Sequence, residues 1–301
     1  MTFDKNPFDS NISLPIPNNE EVIMPSVFGQ FRQKSGLKRP IFVVGSPRSG
    51  TTVLGSCLAA NKDLSGSDES LFLLDMWRIA SDLHSGSNRR GWAPLQKYIS
   101  TEQLREAIGE FSDNIFNALV VSQGKQRYVD HTPWYVACIP MLYSLYHDCI
   151  VIHIIRDGRH VTCSLQKAYS SGFEWAGQYI SDSARLWSYL VNLGIEYGRT
   201  KHARHYLELR YEDLCLEPET FLKKLCIAID VEWDNCMLKP LAKAHATPSR
   251  KNATIATLNE NNTLTINQVQ EIEDWPKEWS PSDRKAFLDS AGETMTQLAY
   301  Q

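Results

Sequence analysis

The stretch Gly45-Ser-Pro-Arg-Ser-Gly-Thr-Thr52 carries the clearest chemistry in this 301-residue chain. It follows the apolar run Ile-Phe-Val-Val and precedes a helical pattern that starts near Gly50. A strand, a glycine-bearing loop and a helix start, in that order, aim backbone N–H groups and the positive end of a helix dipole at one point. That arrangement suits a phosphate-like anion. The pattern falls one residue short of the nucleotide loop G-x-x-x-x-G-K-[ST]. Thr51 occupies the lysine position, and the cation of the loop is Arg48 instead. The loop therefore reads as an anion cradle that is not built for ATP with magnesium. A second anion site is predicted at Arg156, which closes the apolar run CIVIHII, together with Ser164 in the helix that follows. Arginine offers a planar fork of donors matched to phosphate, and serine adds a hydroxyl. Two such sites on adjacent strand ends imply a ligand with two separated anionic groups.

These residues need a frame. Strands are predicted over residues 41–45, 128–129, 149–155 and 206–210, from short runs rich in β-branched residues. Helices are predicted over 50–60, 70–83, 100–121, from Pro133 onward, 158–170, 176–199 and 218–229, with a last one starting at Ser280. Ser100-x-x-Gln103 marks one start as a capping box. Residues 85–94 form a polar loop, and 247–265 read as polar and irregular. Residues 1–38 read as an N-terminal arm, and 39–301 as one domain. Strands alternating with helices predict an α/β, P-loop-like three-layer fold with a central, mostly parallel sheet flanked by helices. Ligands of such sheets sit beyond the carboxyl ends of the strands. The segments 45–52, 130–133, 156–164 and 211–213 all fall there, so they should gather around one crevice.

Composition narrows the partners. The formal net charge is −4, which gives no global basic field and no reason to expect nucleic acid as the main partner. The seven cysteines show no metal-ligand spacing, so no metal is expected. Cys57, Cys138, Cys149, Cys163 and Cys226 fall in apolar or helical contexts and read as reduced core thiols. Residues 1–19 lack the apolar core of a signal peptide, and no run is long enough to span a bilayer. A soluble, cytoplasmic protein with no transmembrane segment is the expectation.

Taken together, the motifs resemble those of sulfotransferases that use 3′-phosphoadenosine 5′-phosphosulfate (PAPS). Val44-Gly-Ser-Pro-Arg-Ser-Gly-Thr-Thr52 resembles the family's loop for the 5′-phosphosulfate, and Ile155-Arg-Asp-Gly-Arg-His-Val-Thr-Cys-Ser164 its motif for the 3′-phosphate. Leu209-Arg-Tyr-Glu-Asp-Leu214, followed by Glu217-Pro218, resembles a later signature. The Pro-Arg-Ser-Gly-Thr-Thr variant is similar to the branch that holds protein-tyrosine sulfotransferases and many bacterial enzymes.

The resemblance implies transfer of a sulfuryl group from PAPS to an acceptor hydroxyl, with adenosine 3′,5′-bisphosphate as the product. It makes Glu69, 21 residues after Arg48, the general base. It makes Arg48, Ser49, Gly50, Thr51 and Thr52 the holders of the transferring group, by the logic of phosphoryl transfer. Arg156 and Ser164 would hold the 3′-phosphate, with Tyr211 beside the nucleotide. Arg250 and Lys251 resemble a basic C-terminal segment that closes over that phosphate.

His131 stands where relatives often carry a lysine that contacts the donor. It reads as a hydrogen-bond donor, a second acid or base, or a turn residue. Glu69 has a second reading as a first-turn acid favouring a helix dipole. Tyr211 has one as a core aromatic, Ser164 as a plain helix serine, Arg156 as an ion-pair partner of Asp157 or Asp130, and Arg250 and Lys251 as a solvated loop. Trp77, Trp92, Phe173 and Trp175 are candidates to line a pocket for a small-molecule, sugar, lipid or phenolic acceptor, or to lie in the core. The competing functions are a P-loop-type nucleotide kinase and a non-catalytic nucleotide-binding protein on the same fold.

Overall fold

Four consecutive branched or aromatic apolar residues make Ile41–Val44 (β1) a strand buried on both faces. The computed structural model, which describes residues 37–85, 94–200, 205–241, 255–258, 264–267 and 275–300, places β1 at the centre of a five-stranded sheet. Its companions are Leu64–Gly66 (β2), Arg127–Asp130 (β3), Ile150–Ile155 (β4) and Tyr206–Arg210 (β5). The order is β2-β3-β1-β4-β5, and every pairing is parallel.

Alternation along β1 divides the core in two. Phe42 and Val44 face one cluster, and Ile41 and Val43 face the other. The first cluster is covered by Phe72–Ser85 (α2), Thr101–Ser122 (α3), Ile139–Leu145 (α4), Gly158–Ser170 (α5), Ile180–Gly198 (α6) and a last helix, Pro281–Gln297. The second is covered by Thr51–Ala59 (α1), Tyr211–Leu216 (α7) and Pro218–Ile229 (α8). The expected α/β layering with a parallel sheet is therefore present.

The structure departs from the expectations in places. Leu64–Gly66, with a serine and a glycine in three residues, pairs with β3 although nothing in its pattern marks a strand. The region expected to be irregular contains Ile255–Leu258 (β6) and Leu264–Asn267 (β7), paired antiparallel. The last helix, Pro281–Gln297, is α9. After Pro133 the chain makes a tighter 3-10 turn, Pro133–Cys138, before α4 begins. Helix α6 starts at Ile180 rather than 176, because a 3-10 turn over Glu174–Ala176 ends at Gly177 in the left-handed region, φ 89°. Ser100 caps α3 with the reciprocal Gln103 bonds that the sequence implies. Among the described residues, no helix is long and apolar enough to cross a membrane, and none of the seven cysteines is in a disulfide.

Candidate active site at the carboxyl ends of the sheet

The loop between β1 and α1 turns within itself. The Ser49 amide donates to the Ser46 carbonyl at 3.1 Å. Arg48 and Gly50 both lie in the left-handed region, at φ 72° and 102°. For arginine this conformation is uncommon and costs energy, a pattern that clusters where a ligand is held. At Gly50 the reason for glycine is plain: a Cβ would lie 2.3 Å from Cδ2 of Tyr211. Helix α1 starts at Gly50 with no side-chain cap, and the buried Ser49 hydroxyl meets no protein partner. A phosphate-like anion would satisfy both.

The segment predicted as a second anion site meets the first. Arg48 Nε donates to Ser164 Oγ at 3.0 Å, across 116 residues of sequence. The Arg156 guanidinium lies 4.5 Å from the centre of the Tyr211 ring and reaches the Arg48 carbonyl at 3.4 Å. Tyr211 thus touches both Gly50 and Arg156. Arg48, Ser49, Gly50, Thr51, Thr52, Arg156, Ser164 and Tyr211 come together beyond the carboxyl ends of β1, β4 and β5, as the topology predicts. Arg250 and Lys251 lie outside the described residues, as does Trp92.

The β4–α5 turn is held by one local pair and by two distant groups. Asp157 caps α5 by accepting from the Arg159 amide at 2.8 Å. The same carboxylate takes a paired set of bonds from the buried Arg159 side chain, at 3.1 Å and 2.7 Å. Asp157 therefore pairs with Arg159 and not with Arg156. Trp187 on α6 donates to the Arg156 carbonyl at 3.1 Å, and its ring leaves room only for hydrogen at Gly158. Glu212 accepts the Asp157 amide at 2.9 Å.

Glu69 sits on the far side of the β1 loop. Its Oε1 accepts from Thr52 Oγ1 at 3.2 Å. Two tyrosines tie down the segment that carries it. Tyr128 is hydrogen-bonded to Ser67 at 3.1 Å, and Tyr135 accepts from the Leu73 amide at 3.1 Å. Tyr128 also donates to Asp130, a fully buried carboxylate that takes the Thr132 amide as well, at 2.9 Å and 2.8 Å. Burial raises the pKa of Asp130 against the pull of these bonds.

The Glu69 residue is exposed overall, yet loss of hydration around its carboxyl raises its pKa above the ordinary value. The charge of His131, the Thr52 bond and Arg48 oppose that rise, and Asp130 adds to it. His131 is buried, and its ring packs so closely on α1 that a Cβ at Gly55 would lie 2.5 Å from it. It therefore belongs to the same neighbourhood as Glu69. The aromatic candidates divide. Trp77 and Trp175 pack against the main core, and Phe173 is exposed and meets Trp175 edge-on, centroids 6.1 Å apart. His153 is a core histidine, bonded through Nδ1 to the Tyr206 hydroxyl at 2.7 Å; burial lowers its pKa to about 4.

The Sulfotransferase family model matches residues 40–235, which span both anion loops, Glu69 and His131. The chain belongs to the sulfotransferase family. Protein-tyrosine sulfotransferase A of Caenorhabditis elegans is 22% identical over 271 residues, covering 86% of this chain and 67% of that protein. The protein-tyrosine sulfotransferase of Drosophila melanogaster is 24% identical over 203 residues, covering 66% of this chain and 39% of its own. The chain thus spans two thirds of the worm protein's length and well under half of the fly's. Among solved structures, the sulfotransferase domain of the curacin biosynthetic pathway superposes with a TM-score of 0.50 at 19% identity, over 88% of this chain and 99% of that one. That likeness shows the fold.

Proposed function

We propose that this sulfotransferase-family enzyme moves a sulfuryl group from PAPS to an acceptor hydroxyl, with Glu69 as general base. The observation that carries the reading is the Arg48–Ser164 bond, which joins two anion-binding segments into one site. PAPS has two anionic ends at a matching division: a 5′-phosphosulfate for the α1 cradle and a 3′-phosphate for Arg156 and Ser164. The acceptor oxygen attacks sulfur, and the bond from sulfur to the 5′-phosphate oxygen breaks. Adenosine 3′,5′-bisphosphate leaves, and the acceptor proton passes to Glu69.

Arg48, the loop amides and the Thr51 hydroxyl hold the charge that builds on the sulfuryl and leaving oxygens, while the Thr52 hydroxyl donates to Glu69. The raised pKa of Glu69 brings the base closer to the working pH, where proton transfer is most effective. In this reading His131, a buried neighbour of α1, orients Glu69 or donates a hydrogen bond to the transferring group. The acceptor is a small molecule, sugar, lipid or phenol that presents a hydroxyl.

Transfer of labelled sulfate from PAPS to a panel of these acceptors tests the reading, with Glu69→Gln run beside the wild type. Label transfer that is lost in Glu69→Gln is the expected result. Transfer of labelled phosphate from ATP, with none from PAPS, would replace this reading with the nucleotide kinase.

A further inference from the structure

The carboxyl-terminal end of the chain reaches back to the second anion site. Tyr300 donates from its hydroxyl to Glu212 Oε2 at 3.0 Å. The other oxygen of the same carboxylate accepts the Asp157 amide at 2.9 Å. Asp157 follows Arg156 directly and caps α5, the helix that carries Ser164. Glu212 is therefore a bridge with one oxygen on the phosphate-site turn and one on the chain terminus.

Two further contacts keep Tyr300 in place. The Arg210 guanidinium lies 4.5 Å from the centre of its ring, and Arg210 also donates to the Leu298 carbonyl. Farther along the same C-terminal unit, the Arg159 guanidinium lies 5.6 Å from the Trp275 ring, and Trp275 meets Phe287 of α9 edge-on. The partner of the Asp157 carboxylate and the partner of its amide are thus both in contact with residues after 274.

We infer that Tyr300, acting through Glu212, is a positioning residue for the donor's 3′-phosphate, setting the Arg156-Asp157-Gly158 turn from the last residues of the fold. The inference rests on the PAPS reading of the site. Neither Tyr300 nor Glu212 touches the donor in this account. Tyr300 orients the carboxylate, the carboxylate fixes the Asp157 amide, and the amide fixes the direction in which Arg156 leaves β4. A hydrogen bond to a carboxylate is strong enough for its loss to be read at the neighbouring turn.

The test measures affinity for adenosine 3′,5′-bisphosphate in the full chain. The variants are Tyr300→Phe, Glu212→Ala, the pair together, and Glu212→Gln. The unfolding midpoint of each free protein is recorded alongside. Tyr300→Phe keeps the ring over Arg210 and removes only the hydroxyl. It is expected to weaken bisphosphate binding about five-fold, the scale of one hydrogen bond. It should raise the donor KM while leaving the acceptor KM and the kcat at saturating donor near the wild type. Glu212→Ala should weaken binding at least as much, and adding Tyr300→Phe to it should cost little more. Glu212→Gln, which can still accept the amide, should recover most of the affinity.

Bisphosphate binding by Tyr300→Phe within two-fold of the wild type would overturn the inference, whatever happens to its midpoint. Additive losses in the double variant would overturn it too. A wild-type chain that does not bind the bisphosphate would instead contradict the PAPS reading itself.

Discussion

The two strand ends proposed to bind the donor's anionic groups are held in different ways. The loop after β1 carries more of its own bracing: its turn bond, its left-handed residues and its helix start all fall between Ser46 and Leu54, and Pro133, Arg156 and Tyr211 meet its backbone from outside. The turn after β4 is held from outside. Trp187 grips its carbonyl from α6, Glu212 grips its amide from α7, and Tyr300 braces Glu212 from the end of the chain. A loop that carries reacting groups benefits from short, stiff local connections, because small displacements there cost rate. A turn that grips a remote phosphate contributes binding, which remote supports can tune without touching the chemistry. The comparison predicts that damage to the first region appears in kcat and damage to the second in donor affinity.

Substitutions of the reacting groups should show the largest effects. Glu69→Gln should lower kcat by about 10²- to 10⁴-fold, the usual scale for a general base, with bisphosphate affinity nearly unchanged. Arg48→Ala should lower kcat by about 10²- to 10³-fold, as for other groups that stabilise developing charge. A calorimetric titration beside a turnover assay checks both. Arg156→Ala comes next. It should raise the donor KM by about ten- to a hundred-fold, in line with loss of charged hydrogen bonds worth about 1.5–3 kcal/mol. A fall in kcat larger than the rise in donor KM would erase the distinction between the two regions.

Trp187→Phe keeps most of the buried ring and deletes the bond to the Arg156 carbonyl. It should weaken bisphosphate binding by up to about ten-fold, the cost of leaving a buried acceptor unmade. The smallest change concerns the base itself. As the proposed base, Glu69 would act only when ionised, and its pKa is raised. Activity should therefore fall, as pH drops, from a higher pH than an ordinary carboxylate would give. The Thr52 bond favours the ionised form. Thr52→Val should raise the Glu69 pKa further and move the acid limb of the kcat/KM profile upward, with less than about ten-fold loss at the plateau.

The sequence read the first region well and the supports of the second hardly at all. The β1 loop was legible because its chemistry lies in eight consecutive residues, with Arg48 and Gly50 visible at fixed offsets. The capping box at Ser100 and the helix start at Ser280 were legible for the same reason, since partner and cap are three residues apart. Arg156 and Ser164 were visible at the end of the best strand. What fixes them was not: Glu212 and Tyr300 are 88 residues apart, and Trp187 is 31 residues from the carbonyl it binds. Nothing in residue type marks such pairs. Asp157 was weighed as a partner for Arg156, but its proximity to Arg159 in the first turn of α5 gives a better fork geometry. Strand β2 escaped because three residues, two of them small or polar, show no period. Hairpin β6–β7 escaped because its region is rich in Asn and Thr, which read as loop.

The central claim is a single site that grips two anionic ends of one nucleotide. Calorimetric titration of the full chain with adenosine 3′,5′-bisphosphate, and separately with ATP plus magnesium, tests it most directly. The account predicts that the bisphosphate binds more tightly, and that Arg156→Ala weakens it far more than Arg48→Ala does. Tighter binding of ATP with magnesium, or bisphosphate binding indifferent to Arg156, would contradict it.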